Sequence, residues 1–177
     1  LAFPVRHLGH FAQQVLHACA LLGRHASVAR VAAVLEMGTS GLLSCMEELD
    51  ALGILGAGDA TDCLAMHDLW QEELLTSLRP AEKQLFHLRC GAVLEAESRQ
   101  THSAGMVWEA ARHLIASGSQ RRALSMLEEC AQYLLDNGLP GDAARSFALA
   151  FEVSATDQER ARNLRGRISA LHCSGKW

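Results

Sequence analysis

The chain of 177 residues is long enough to bury a real core in one domain or two small ones. Its residues are 49% apolar and 20% charged, interleaved so that no run nears the roughly 18 apolar residues of a membrane span, and no signal-peptide pattern opens the chain; a membrane protein is excluded and a soluble cytoplasmic chain is expected. The net charge of −4 conceals a step: residues 1–78 hold three arginines (Arg6, Arg24, Arg30) against nine carboxylates, a net of −6, whereas residues 79–177 hold thirteen lysines and arginines against eleven carboxylates, a net of +2.

Apolar residues at Leu8, Phe11, Val15, Leu16, Cys19 and Leu22 recur at helical spacing and predict a first helix ended by Gly23. Ser27 is placed to cap a second helix, with Val28, Val31, Ala32 and Leu35 inward and Gly38 closing it. A third helix is predicted over 39–53, with Leu42, Leu43, Met46, Leu49 and Leu52 on one face and Gly53 behind it. The period then changes. Short apolar runs at 54–55 and 63–66, separated by Gly56, Gly58, Asp59 and Asp62, predict a β-hairpin. Three helices followed by a hairpin is the winged-helix arrangement. Helical spacing returns through Leu69, Leu74, Leu75 and Leu78.

Pro80 suits the first turn of a new helix after an extended Arg79. The charge step falls at the same place, so a division into 1–78 and 79–177 is expected. Beyond it everything reads as helix, with apolar stripes at Leu85, Phe86, Leu88, Val93 and Leu94, then Val107, Trp108, Ala111, Leu114 and Ile115, then Ala123, Leu124, Leu127, Ala131, Leu134 and Leu135. Two further helices follow, through Ala143, Ala144, Phe147, Ala150 and Phe151 and through Leu164, Ile168 and Leu171. An internal echo runs through this half. A helix end, a glycine and a polar turn recur at Gly118, Gly138 and Gly175, and an alanine follows the first two at Ala123 and Ala143. The irregular spacing predicts degenerate α-hairpin repeats, stacked face to face. The chain opens at Leu1 and stops at Trp177, two residues after Gly175, which reads as an excised fragment.

No catalytic constellation is visible. Six cysteines (Cys19, Cys45, Cys63, Cys90, Cys130, Cys173) form no CxxC pair and are expected as reduced thiols on apolar faces. Among nine histidines, His7 and His10 stand three apart without acidic or thiolate neighbours, and His17, His87, His102, His113 and His172 are scattered one per element, so no metal site is expected. The terminal "SGKW" lacks the glycine and hydroxyl residue of a Walker A loop, and no Ser-His-Asp or nucleophile-elbow spacing occurs. DNA binding by the third helix is disfavoured, since its polar residues are Ser40, Ser44, Glu47, Glu48 and Asp50, with no lysine or arginine to meet phosphates.

The stretch "AMHDLWQEELL", residues 65–75, remains. A histidine leaving a strand at a helix N-terminus can offer an imidazole donor to an anion, assisted by free backbone N–H groups and the helix dipole, and an aspartate in the first turn suits that dipole. A histidine that merely caps the helix or packs at a domain edge fits the same residues. Met66-His67-Asp68-Leu69, at the end of a winged-helix pattern, resembles the MHD motif of STAND signal-transduction ATPases, whose bacterial branch includes large transcriptional activators of the maltose-regulon type. The run from Val15 through Leu78, and the later "AARHLIASGSQRRALSMLEECAQYLL", are similar to that branch.

The resemblance implies a winged-helix domain followed by tetratricopeptide-like repeats, and a nucleotide-sensing role for two residues. His67 would reach the β-phosphate of ADP in a P-loop domain upstream in the same polypeptide, and Asp68 would fix the local geometry. ATP or ADP would belong to the parent protein, with no cofactor in this portion. The repeats would bind an inducer or protein partner, and the output would be transcriptional regulation. The alternative is a helical-repeat interaction scaffold with a purely structural winged helix. Neither reading makes this portion an enzyme, although the parent would turn over ATP slowly.

Overall fold

The computed structural model describes residues 8–57, 64–66 and 68–175. The described chain is mainly helical. It divides into two compact units, Leu1–Cys90 and Gly91–Trp177. His7, Asp59, Asp62, Cys63, Lys176 and Trp177 lie outside the described residues.

In the first unit, α1 (His10–Leu22) buries Val15, Leu16, Cys19 and Leu22 and ends at Gly23, where the backbone turns left-handed. A 3-10 turn, Gly23–His25, leads to α2 (Val28–Leu35), whose first turn is capped as expected: Ser27 Oγ accepts the Arg30 N–H at 3.3 Å. The closing residue of α2 differs from expectation. Glu36, not Gly38, adopts the left-handed conformation, because the Glu36 and Met37 N–H groups take the Ala33 and Ala32 carbonyls at 3.2 and 2.9 Å. Gly38 instead stands ahead of α3 (Thr39–Ala51) in an extended conformation.

The inward face of α3 is Leu42, Cys45, Met46 and Leu49, while Leu43 and Leu52 are exposed, a correction to the predicted stripe. Cys45 takes the inward place because it shares that face with Leu42 and Leu49 at three- and four-residue steps. Strands β1 (Leu55–Ala57) and β2 (Leu64–Met66) pair antiparallel with Leu55 opposite Met66. The Leu64 N–H reaches the Ala26 carbonyl at 2.9 Å, tying β2 to the turn after α1. Next, α4 (Asp68–Ser77) lays Leu74, fully buried, against α1.

Helix α5 (Pro80–Thr101) begins at the predicted proline but is continuous through the point where the units divide. The two compact units therefore separate at 90/91, inside a helix, whereas the charge step lies at 78/79. Leu85 and Leu88 are exposed on this helix, contrary to the predicted stripe, and its buried hydrophobic side chains are Cys90 and Leu94.

The second unit continues with α6 (Ala104–Ala116), α7 (Gln120–Asp136), α8 (Pro140–Val153) and α9 (Asp157–Cys173), each packed on the next. The echoed glycines are geometrically equivalent. Gly118 and Gly138 have φ of 84° and 74°, and in both turns the following N–H closes back on a leucine carbonyl at 2.8 Å, Ser119 on Leu114 and Leu139 on Leu134. A side chain disfavours this left-handed geometry, which is why glycine recurs there. Ala123 and Ala143, five residues on, are both fully buried. Ala131, Leu134, Ala143, Ala144, Phe147 and Ala170 form the core between α7, α8 and α9. In α9 a capping box opens the helix, Thr156 Oγ1 accepting from Glu159 N and Glu159 Oε2 from Thr156 N at 3.0 Å.

The five described cysteines are free thiols, with Cys130 half-buried and Cys173 exposed rather than on an apolar face. Cys19, Cys45 and Cys90 are buried, and burial pushes the Cys19 and Cys90 thiols up to about 12, far from reactive thiolates. Among the described residues no single helix is long and apolar enough to cross a membrane.

Candidate functional site

The strand–helix junction singled out by the sequence is held on both sides. Met66 ends β2 and pairs with Leu55, while Asp68 opens α4. That helix is anchored to α1 by Leu74 and by the Gln71 side chain, whose Nε2 donates to the Ala20 carbonyl at 2.7 Å. His67 itself lies outside the described residues. The exposed side of α3 is acidic, with Ser40, Ser44, Glu47, Glu48 and Asp50 all on the surface beside Leu43 and no basic residue in the helix.

A cleft of about 890 Å³ opens in the first unit among α1, α4 and the start of α5. Its chemistry centres on a pair sixty residues apart: His17 Nε2 lies 3.3 Å from Ser77 Oγ. The Ser77 hydroxyl donates to the Leu74 carbonyl at 2.8 Å, so its oxygen is left to accept from the His17 ring. With the hydroxyl proton on the Leu74 carbonyl the serine accepts from the ring, whereas a nucleophile would have to give its proton to the imidazole. The His17 ring also meets Phe86 edge-on, centroids 6.0 Å apart. Burial lowers the His17 pKa, with Glu82 opposing and His10 adding to the shift. The Glu82 carboxyl is itself drawn down to about 2 by hydrogen bonds from Arg79.

A stability effect follows with a defined sign. A histidine whose folded pKa lies below its unfolded value binds protons more readily when unfolded, so its neutral form supports the fold above the unfolded pKa. That contribution is lost as pH falls from about 6.5 through the lower folded value. The urea midpoint of the first unit should therefore fall on acidification through this window, and His17→Gln should flatten the dependence. An unchanged pH profile in the variant would remove His17 from this role.

In the second unit Glu95 is buried, 4% exposed, with Oε1 2.8 Å from Arg99 and Oε2 2.6 Å from Arg122. Arg99 is mostly and Arg122 about half in solvent, so the trio ties α5 to α7 at the surface, one carboxylate oxygen facing each guanidinium and the group keeping a net charge of about +1. The Glu95–Arg99 half is a four-residue step within α5 of the kind a sequence displays, whereas Arg122 and the His17–Ser77 pair bring together separate helices, which no spacing announces. Among the described residues no group of three or more histidine, cysteine or carboxylate side chains could hold a metal ion. No family model, curated protein or solved structure matches the chain.

Proposed function

We propose that the chain is the regulatory and sensor portion of a STAND-type ATP-dependent signalling protein that regulates transcription. In this reading the first unit is a winged-helix module that senses ADP or ATP in a P-loop domain upstream in the same polypeptide. The second unit is a tetratricopeptide-like arm that binds an inducer or protein partner. What supports the proposal is one ordered coincidence with the Met66-His67-Asp68 sequence: Met66 ends an antiparallel strand pair that follows three helices, and Asp68 opens the next helix. His67 would donate to the β-phosphate of ADP and Asp68 would favour the helix N-terminus that orients it. Exchange of ADP for ATP would then bias a two-state equilibrium, for which a few kcal/mol suffice.

The acidic exposed face of α3 favours contacts with protein over contacts with DNA. A second reading, a helical-repeat scaffold with a structural winged helix, draws support from the regular α6–α9 stacking alone. The two part on one measurement, the nucleotide content of the purified full-length protein with His67 or with His67→Ala. Under the switch reading the wild type retains ADP, and the variant loses about tenfold or more in retention or becomes active without inducer. Equal nucleotide content, or none in either, leaves the scaffold.

A further inference from the structure

We propose that the outward face of α9 is a docking surface for an acidic amphipathic helix of a separate polypeptide. The proposal rests on the reading of the second unit as a partner-binding arm, but not on the nucleotide switch.

Helix α9 has two faces of opposite character. Asn163, Gly166 and Ala170, spaced three and four apart, turn inward; Asn163 and Ala170 are fully buried and Gly166 meets the Phe147 ring. Leu164 and Ile168, four apart, lie on the other side of the helix and are 44% and 57% exposed. Leu171, one step further along that stripe, is half-buried at the edge of the core. One exposed leucine is ordinary on any surface. A second apolar stripe on the side away from a buried face is the pattern of a helix that is covered on both sides.

Charge identifies the cover. Helix α9 carries Arg160, Arg162, Arg165 and Arg167 against Asp157 and Glu159. At 100° per residue, Arg160 and Arg167 border the stripe on one side and Arg165 on the other. Arg160 is engaged by Asp157 at 3.5 Å and Arg162 by Glu128 at 2.7 Å. Arg165 and Arg167 are exposed and take no carboxylate partner among the described residues. An apolar stripe between free guanidiniums complements a helix with leucines on one face and glutamates along both borders. Such a helix would seat its leucines on Leu164 and Ile168 and pair its carboxylates with Arg165 and Arg167. A second α9 would not serve, since like charges would meet across the contact.

The test is fluorescence anisotropy of the intact chain with a labelled synthetic peptide of leucine, alanine and glutamate. Its leucines fall at alternating three- and four-residue steps and its glutamates flank them. Saturable binding is expected, weakened about tenfold or more by Ile168→Glu and likewise by the pair Arg165→Glu with Arg167→Glu. Ile168 is more than half exposed, so circular dichroism should show the variant folded, and the arginine pair provides a second, independent probe. Absence of saturable binding overturns the proposal. So does equal binding by a scrambled peptide of the same composition, which would mean bulk charge alone. Self-association of the chain that disappears with Ile168→Glu would make a second copy the occupant and overturn it as well. Peptide binding combined with no nucleotide effect of His67→Ala would sink the switch and leave this surface standing.

Discussion

Replacing Gly166 by leucine should cost the second unit about 3 kcal/mol, read as a lowered urea midpoint. A Cβ there would stand 2.7, 2.8 and 2.9 Å from Cε1, Cζ and Cδ1 of Phe147, well inside normal carbon contact. Phe147 is 9% exposed and packs with Ala143, Ala144 and Ala170, so the ring cannot retreat without opening the core between α8 and α9. Alanine is the finer probe. Helix propensity favours it over glycine by roughly 1 kcal/mol, while overpacking opposes it by about 1–3 kcal/mol. Gly166→Ala alone should therefore range from neutral to destabilising. Combined with Phe147→Leu, which vacates the ring volume, the same alanine should become stabilising. A double mutant no more stable than additivity allows would show that the ring is not what excludes a side chain at 166.

Trp108→Ala should cost about 3 kcal/mol, because Trp108 joins α6 to α8 by two different contacts besides its apolar packing. Its Nε1–H donates to Ser146 Oγ at 2.8 Å, and Ser146 is fully buried. The Ser146 hydroxyl in turn points to Cys130 Sγ at 3.8 Å, so one indole proton organises a polar thread through α8 and α7. Above the ring, the Arg145 guanidinium carbon lies 4.0 Å from the centroid, a cation–π contact worth about 0.5–1 kcal/mol at an exposed site. Trp108→Phe separates these contributions. It keeps an aromatic face for Arg145 and most of the apolar area but leaves the Ser146 oxygen without its donor, for about 1–2 kcal/mol. Hydrogen exchange over α8 and urea unfolding should rank wild type above Phe and Phe above Ala. If Phe were as poor as Ala, the hydrogen bond would outweigh the buried ring.

Helix existence was legible almost throughout because the signals are local. Ser27 caps α2 and Gly23 ends α1 where the period stops. Gly118 and Gly138 sit in matching left-handed turns, and Pro80 opens α5. The runs at 54–55 and 63–66 shift by a residue at their starts but pair as antiparallel strands. Each of these depends on neighbours in the chain, on a backbone conformation or a cap within one turn. Glu36 is the instructive exception. A left-handed glutamate closes α2 although Gly38 was available two residues later, because the helical hydrogen bonds are exhausted at Leu35.

Which face of a helix is buried was less legible, and α9 shows why. Its large apolar residues, Leu164 and Ile168, predict the inward face by hydrophobicity, yet Gly166, Asn163 and Ala170 occupy it. Close approach to the Phe147 ring selects a missing side chain over a large one. Asn163 is held inside by Glu128 Oε1 at 2.9 Å and Ser154 Oγ at 3.1 Å, partners supplied by other segments. Leu43 on α3 and Leu85 and Leu88 on α5 were likewise predicted inward and are exposed. At the junction of 66–68 the sequence names His67 and Asp68 and orders them after β2; the described residues hold β2 and α4 in place on either side.

By itself, then, the sequence determined that the helices occur and several of the residues that open or close them, that a strand pair interrupts them after three, and that one glycine turn recurs. Those follow from short-range sterics and hydrogen bonds, which adjacent residues specify. Only the tertiary structure decided the division of α5 between two units, the meeting of His17 with Ser77 and of Trp108 with Ser146, and the outward turn of Leu164 and Ile168. These depend on which distant surfaces fit at contact distance, and the spacing of residues along one helix carries no information about the shape of the helix it will meet.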